Sequence, residues 1–276
     1  MITFSAFADE IADDLTEQID VCEANGVRCI DVRGIDGVNV SKLTVEQARQ
    51  YKQQLGDRGF RVPCIGSPIG KINISDDFDV HLDLFKHCCD VARAFGTQRI
   101  RVFSFYPSEG ADIADQRDAV MERMRRLIDV AEQHDVLLMH ENEKAIYGAV
   151  PDRVLDLFET LGSPRLQGVF DPANYVEEGV APYDDGWRTG LDERTHYVHV
   201  KDYDPAREAC VPAGQGNGQF DEIFRDLRQR DWDGFATLEP HLAQAGQFSG
   251  HTGAALFADA VAALRDVCDR AGLTYQ

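Results

Sequence analysis

Eight short apolar runs recur through the chain, and amphipathic runs of ten or more residues lie between most of them. The short runs are ITFSAF, RCIDVRG, FRVPCIGS, QRIRVFSFY, VLLMHEN, LQGVFDP, HYVHVKDY and GFATLEP. Their near-continuous apolar character is that of strands buried on both faces, as in a parallel sheet. The longer runs carry helix punctuation. Thr44 stands three residues before Gln47, a capping-box pattern. Pro151 opens PDRVLDLFETLG, where proline is tolerated, and Asn25-Gly26 closes the first helix. After the sixth run the connection through Asp192 is less regular. Eight such alternations predict an α/β fold, a single closed (β/α)8 barrel spanning residues 1–276. An open doubly wound sheet wants a glycine-rich turn after its first strand, and ADEIADD supplies none. No linker, repeat or low-complexity segment divides the chain.

In such a barrel the carboxyl ends of the strands converge on one face and build the active site. Four runs end on a residue that a metal could use: Glu141 in LLMHEN, Asp171 in GVFDPAN, His199 in YVHVKDY and Glu239 in ATLEPHL. Strand alternation sorts the side chains. If Glu141 faces the barrel axis, Met139 joins it and His140 faces the helices. If His199 faces inward, Tyr197 and Lys201 share its side, and Thr237 shares that of Glu239. Pro172 biases Asp171 toward an extended strand end. Either glutamate alone could be an ordinary salt bridge at the barrel mouth. Three converging carboxylates repel one another strongly unless a cation joins them. Glu, Asp, His and Glu suit a divalent ion of intermediate hardness. The expected cofactor is therefore one divalent metal ion.

Further polar residues are placed near the same mouth. Arg33 ends the second run, Lys71 follows the third, and Lys201 lies two residues beyond His199. Each could meet a substrate oxyanion or pair with a carboxylate. His241 reaches the site only if the eighth strand continues past Pro240. His81 and His87 fall on a helix, as packed or solvated residues. The loop GQGNGQ lacks the Lys-Ser or Lys-Thr of a phosphate-binding loop and reads as flexible.

Composition narrows the partners. The net charge of −20 argues against nucleic acid, whose phosphates require Lys and Arg, and gives no case for an anionic membrane. No apolar stretch approaches the roughly 20 residues that cross a bilayer. The acidic amino terminus lacks the basic region of a signal peptide. Seven cysteines, an odd count without a CxxC pair, sit mostly in apolar contexts and read as reduced and cytoplasmic.

HEN at the fifth strand, Asp171 at the sixth, HVKD at the seventh and LEPH at the eighth resemble the sugar phosphate isomerase/epimerase superfamily, the xylose isomerase-like TIM barrels. The resemblance covers nearly the whole chain, with order and spacing carrying most of its weight. It implies that Glu141, Asp171, His199 and Glu239 hold one ion, with Mn first and Mg, Co or Zn as alternatives. It implies an isomerase or epimerase acting on a small sugar, keto-sugar or cyclitol. In that scheme the cation polarises a carbonyl and stabilises an enediolate, while Glu141 and Glu239 move the carbon-bound proton. A lyase is the alternative, such as an inosose dehydratase or an enzyme eliminating from a 3-keto-glycoside. A non-catalytic sugar- or metal-binding barrel is a further one, and an endonuclease IV-like enzyme is disfavoured by missing histidines. Family members often form dimers or tetramers, so a homo-oligomer is also an expectation. One departure stands out: many epimerases carry His three residues after the sixth-strand Asp, where this chain has Asn174. Asn still hydrogen-bonds a hydroxyl, but it cannot act as a base.

Overall fold

A computed structural model describes residues 1–244 and 251–276. Seven parallel strands form one curled sheet: β1 (Ile2–Ala6), β2 (Cys64–Ile69), β3 (Arg99–Val102), β4 (Leu137–Glu141), β5 (Leu166–Phe170), β6 (Thr195–Val200) and β7 (Gly234–Leu238). Their order is β1-β7-β6-β5-β4-β3-β2. The sheet is closed by the second predicted run, which forms isolated parallel bridges rather than a full strand. Ile30 bridges Ala6 of β1, and Val32 bridges Ile65 of β2. Asp31 N–H donates to Ala6 O at 2.9 Å, and Gly66 N–H to Val32 O at 2.8 Å. The run is cut short at Gly34, where the chain turns into a hairpin pairing Gly34–Ile35 with Val38–Asn39. Eight staves therefore close an α/β barrel, one of them reduced to residues 29–32.

The helices follow their sequence punctuation. They are α1 (Leu15–Ala24), α2 (Val45–Asp57), α3 (Phe78–Phe95), α4 (Arg117–His134), α5 (Pro151–Leu161), α6 (Pro172–Glu177), α7 (Phe220–Gln229) and α8 (Gly253–Ala271). Asp14 caps α1 by accepting from Glu17 N–H, and Thr44 and Gln47 form the reciprocal box on α2. Gly96 ends α3 at φ 82°, a left-handed position that glycine adopts without strain. The irregular sixth connection comprises α6, a π-turn over Pro182–Gly186 and a 3₁₀ turn over Trp187–Thr189. No helix among the described residues is long and apolar enough to cross a membrane. All seven cysteines are free thiols.

Inside the barrel the side chains form layers. Cys64, Met139, Val169 and Tyr197 pack together in one layer. Tyr197 stacks on Phe235 at 5.1 Å toward the amino ends of the strands. A buried carboxylate, Asp31, accepts from Thr237 Oγ1 (2.7 Å), Ser5 Oγ (3.1 Å) and Tyr197 Oη (3.2 Å). Above these lie the polar residues of the carboxyl-terminal mouth.

Candidate metal centre

Because successive strand residues face opposite ways, Met139 and Tyr197 in the interior put Glu141 and His199 on the inner face as well. Glu141, Asp171, His199 and Glu239 each bring one ligand-type atom into a group whose members lie within 4.8 Å of one another. All four are at most 4 % exposed. His199 Nδ1 lies 3.2 Å from Glu141 Oε1 and 3.3 Å from Glu239 Oε2. His140 points the other way, against Gly148 and Ser104. His81 and His87 are packed on α3, where His81 Nε2 accepts from Gly70 N–H at 2.8 Å.

The donor set fits a cation atom by atom. Asp171 commits Oδ1 to the Asn174 N–H at the start of α6 (3.0 Å), and Glu239 commits Oε1 to Arg33 Nη1 (2.8 Å). Glu141 Oε1 accepts a long 3.4 Å bond from Asn174 Nδ2. The second oxygen of each carboxylate, and His199 Nδ1, are buried without a hydrogen-bond partner. Their charged neighbours stand at ion-pair distance without hydrogen-bond geometry. A buried polar atom left without a partner is costly, and a divalent ion held by one atom from each of these four residues would relieve that cost. Asn142 fixes the Asp171 backbone from both sides, donating to its carbonyl at 2.9 Å and accepting from its N–H at 2.8 Å.

Electrostatics tell the same story. Burial opposes charge on Glu141, but His199 and Arg101 outweigh it and hold the carboxyl at about 2. Burial likewise opposes charge on Glu239, yet Lys201, His199 and His241 hold it well below the ordinary range. Against burial, Glu141 and Glu239 raise His199 to about 10. Burial lifts Asp171 to about 7, although Lys201 pulls the other way. Without an ion, a proton on His199 offsets part of the carboxylate charge, and a metal ligated by this imidazole would have to displace it.

The other residues singled out in the sequence fall into place around this core. Lys201 Nζ is 2.8 Å from Asp171 Oδ2 and 3.8 Å from Glu239 Oε2. Arg33 pairs with Asp9 (2.8 Å), Glu239 (2.8 Å) and Glu10 (3.5 Å). Lys71 stands further out, on Glu143 at 2.6 Å and over the Phe103 ring. His241 gets there by another route than a continued strand. The chain turns at φ 49°, yet its Nε2 still lies 3.5 Å from Glu239 Oε1 and 3.1 Å from Glu10 Oε1. The GQGNGQ loop is not free: Gly214, Gly216 and Gly218 N–H groups all donate to the buried Asp202 carboxylate at 2.8–2.9 Å.

Three contributors escaped the sequence reading. Arg101, 4 % exposed, lies 3.2 Å from Glu141 Oε2 and 3.7 Å from Glu239 Oε1. Phe7 presents its ring at 4.8 Å to both Arg33 and Arg101, and its edge to His199. Glu10 accepts from Thr252 Oγ1 and His241 N–H. Alternation in RIRVF, with Arg99, Arg101 and Phe103 on one face, was a signal for the first. The other two sit in the turn after β1, where no periodicity guides the eye.

A closed α/β barrel with a carboxylate–histidine cluster at its carboxyl mouth defines a class of barrel enzymes. Residues 19–267 match the xylose isomerase-like TIM barrel family, and the chain belongs to that family. A curated relative, 3-dehydroshikimate dehydratase of Bacillus anthracis, is 22 % identical over 241 residues, covering 81 % of this chain and 84 % of the relative. The crystal structure of the probable 3-DHS dehydratase AsbF from that organism superposes with a TM-score of 0.75 at 20 % identity, over 96 % of this chain and 98 % of the other. L-ribulose 3-epimerase gives 0.74 at 15 % identity, over 98 % and 95 %. A Mycobacterium smegmatis barrel solved in complex with magnesium gives 0.70 at 17 %, over 98 % and 97 %. The chain is an enzyme on this barrel, and the likenesses at such identities establish the fold rather than the substrate.

Proposed function

We propose that this enzyme uses one divalent cation to remove a proton from a carbon beside a carbonyl in a small sugar, keto-sugar or cyclitol, as an isomerase or epimerase. The observation that carries the reading is the buried set of Glu141, Asp171, His199 and Glu239, whose ligand-type atoms lie within 4.8 Å of one another and each of which keeps one buried atom without a hydrogen-bond partner. When bound, the cation, manganese by preference, supplies Lewis-acid polarisation of the carbonyl. The protein supplies the rest. Arg33, Arg101 and Lys201 fix the glutamates and aspartate in place. Asn174, beside Glu141, offers a hydrogen bond to a substrate hydroxyl, and Lys71 and His241 line the approach. Glu141 and Glu239 enter from β4 and β7 and are the proton-moving groups.

The two glutamates are not equivalent, and this favours a second reading. Glu239 has Arg33, Arg101, Lys201 and His241 within 4 Å, whereas among the described residues Arg101 is the one Arg or Lys that approaches Glu141 so closely. Glu141 is thus the better base. A single base suits transfer to the neighbouring carbon, or elimination in which Glu141 takes the carbon-bound proton and hands it to the departing β-hydroxyl, which leaves as water. The curated relative named as a dehydratase supports elimination.

A substrate panel in deuterated water with manganese tests both readings. Deuterium appearing beside a carbonyl with carbon skeleton and water content unchanged supports isomerisation or epimerisation. Loss of water supports elimination. A metal-loaded enzyme that exchanges no carbon-bound proton in any polyhydroxylated carbonyl compound would end the proposal.

A further inference from the structure

At the opposite end of the barrel a cavity of about 460 Å³ opens under the amino ends of β2, β3, β4 and β7. Its size is that of a small-molecule site. Phe60, Phe95 and Phe235 give it aromatic walls, and Lys52, Arg61 and Arg99 give it charge. The Arg99 guanidinium lies 5.6 Å from the Phe235 ring centroid. Lys52 Nζ lies over Gly96, 2.5 Å from where a β-carbon would stand, so the missing side chain leaves room for the ammonium at the mouth. The chain carries 48 acidic residues against 28 basic ones, yet no Asp or Glu lines this cavity. Among the described residues no carboxylate reaches ion-pair distance of Lys52, Arg61 or Arg99. Cations gathered in a concave, partly apolar wall focus a positive potential. A bare inorganic anion would use the charge and waste the rings. A ring-bearing anion uses both, stacking on phenylalanine while its charge meets the guanidinium groups. Chemistry on this fold occurs at the other mouth, so a ligand here is not a substrate in position to react.

We propose that the amino-terminal mouth of the barrel is a second binding site, separate from the metal centre, for a small ring-bearing carboxylate. The probe is sodium benzoate, titrated calorimetrically into the metal-loaded enzyme at low ionic strength. One saturable site is expected, weakened by salt, with neutral benzamide binding at least about tenfold more weakly. Arg61→Glu and Lys52→Glu, both at exposed positions, should each weaken benzoate about tenfold or more. Asp171→Ala, which disables the metal centre, should leave benzoate affinity unchanged. Absence of saturable binding to the wild type overturns the proposal. So does benzamide binding as well as benzoate, a measurement that needs no variant. Loss of benzoate binding in Asp171→Ala would move the ligand to the metal centre, and equal affinity in a folded Arg61→Glu would remove it from the amino-terminal mouth. Displacement of benzoate by inorganic phosphate at equal concentration would show an anion site that ignores the ring.

Discussion

At the carboxyl mouth of the barrel, Arg33, Arg101 and Lys201 are all buried and all paired, and they thread between Asp9, Glu10, Glu141, Asp171 and Glu239. At the amino mouth, Lys52, Arg61 and Arg99 share a cavity with Phe60, Phe95 and Phe235, and among the described residues no carboxylate reaches ion-pair distance of them. The same strands deliver both arrangements: β3 contributes Arg99 to one end and Arg101, two residues later, to the other. Net charge therefore says little about either site. What matters is whether each charge has a partner within reach. The acidic mouth carries more carboxylates than its guanidinium and ammonium groups neutralise, which prepares it for a cation, while the basic mouth is prepared for an anion.

The heaviest blow to this contrast should fall on the acidic mouth. His199→Ala should abolish stoichiometric metal, read by elemental analysis, and turnover with it, whereas His140→Asn should keep the metal. A variant of His199 that retains a full equivalent would sink the assignment. Glu141→Gln keeps an oxygen that could still ligate but loses its basicity. Its turnover should drop on the order of a hundredfold or more, and more steeply than that of Glu239→Gln if Glu141 is the base. Full activity in both metal-loaded variants would remove proton transfer from the pair.

Arg101→Leu asks how much of the acidic mouth is held together by the protein itself. Removing one partner of a buried pair leaves uncompensated charge, at a cost of roughly 3–5 kcal/mol. The loss should be largest in chelator-treated protein and shrink when manganese is restored, as seen in urea melts with and without the ion. An identical loss in both states would mean that the arginine and the metal site are not electrostatically linked.

A milder effect comes from His81, packed on α3 outside the metal cluster. Burial and Arg123 lower its pKa to about 4, below the ordinary 6.5. The unfolded chain therefore binds the proton first as pH falls, so stability is intact above about 6.5 and declines toward pH 4, by something on the order of 3 kcal/mol. His81→Gln, which retains an acceptor for Gly70 N–H, should flatten that decline in urea melts across the range. An unchanged slope would place the acid sensitivity elsewhere. Smallest of all, Arg61→Glu should change global stability by no more than about 0.5 kcal/mol, because an exposed side chain without an ion-pair partner leaves no buried group stranded.

Much of the architecture was legible because helix and strand periods differ and caps are local. Thr44, Pro151 and Asn25 mark helix ends by chemistry that acts within a few residues. Alternation told the two strand histidines apart, since it depends only on pleating. What escaped depends on contacts distant in sequence. The run containing Asp31 and Arg33 looked like any other strand, but its ladder is cut short where the chain turns back at Gly34. Glu10 matters because Thr252 and His241, more than 230 residues away, fold over it. Composition alone suggested that GQGNGQ was mobile, because the carboxylate that collects its amides belongs to a different segment.

That collecting carboxylate has a consequence for local opening. Asp202 gathers four main-chain amides, those of Tyr203, Gly214, Gly216 and Gly218, and a β-carbon at Gly216 or Gly218 would stand 2.5 or 2.8 Å from its Oδ1. In hydrogen–deuterium exchange the three glycine amides should be slow, although glycine-rich connections usually exchange among the fastest. Asp202→Ala should release them together, as one small cooperative unit, while protection in the neighbouring Thr195–Val200 strand persists. The loop would then exchange as an outlying part of the sheet, tied to it through one side chain.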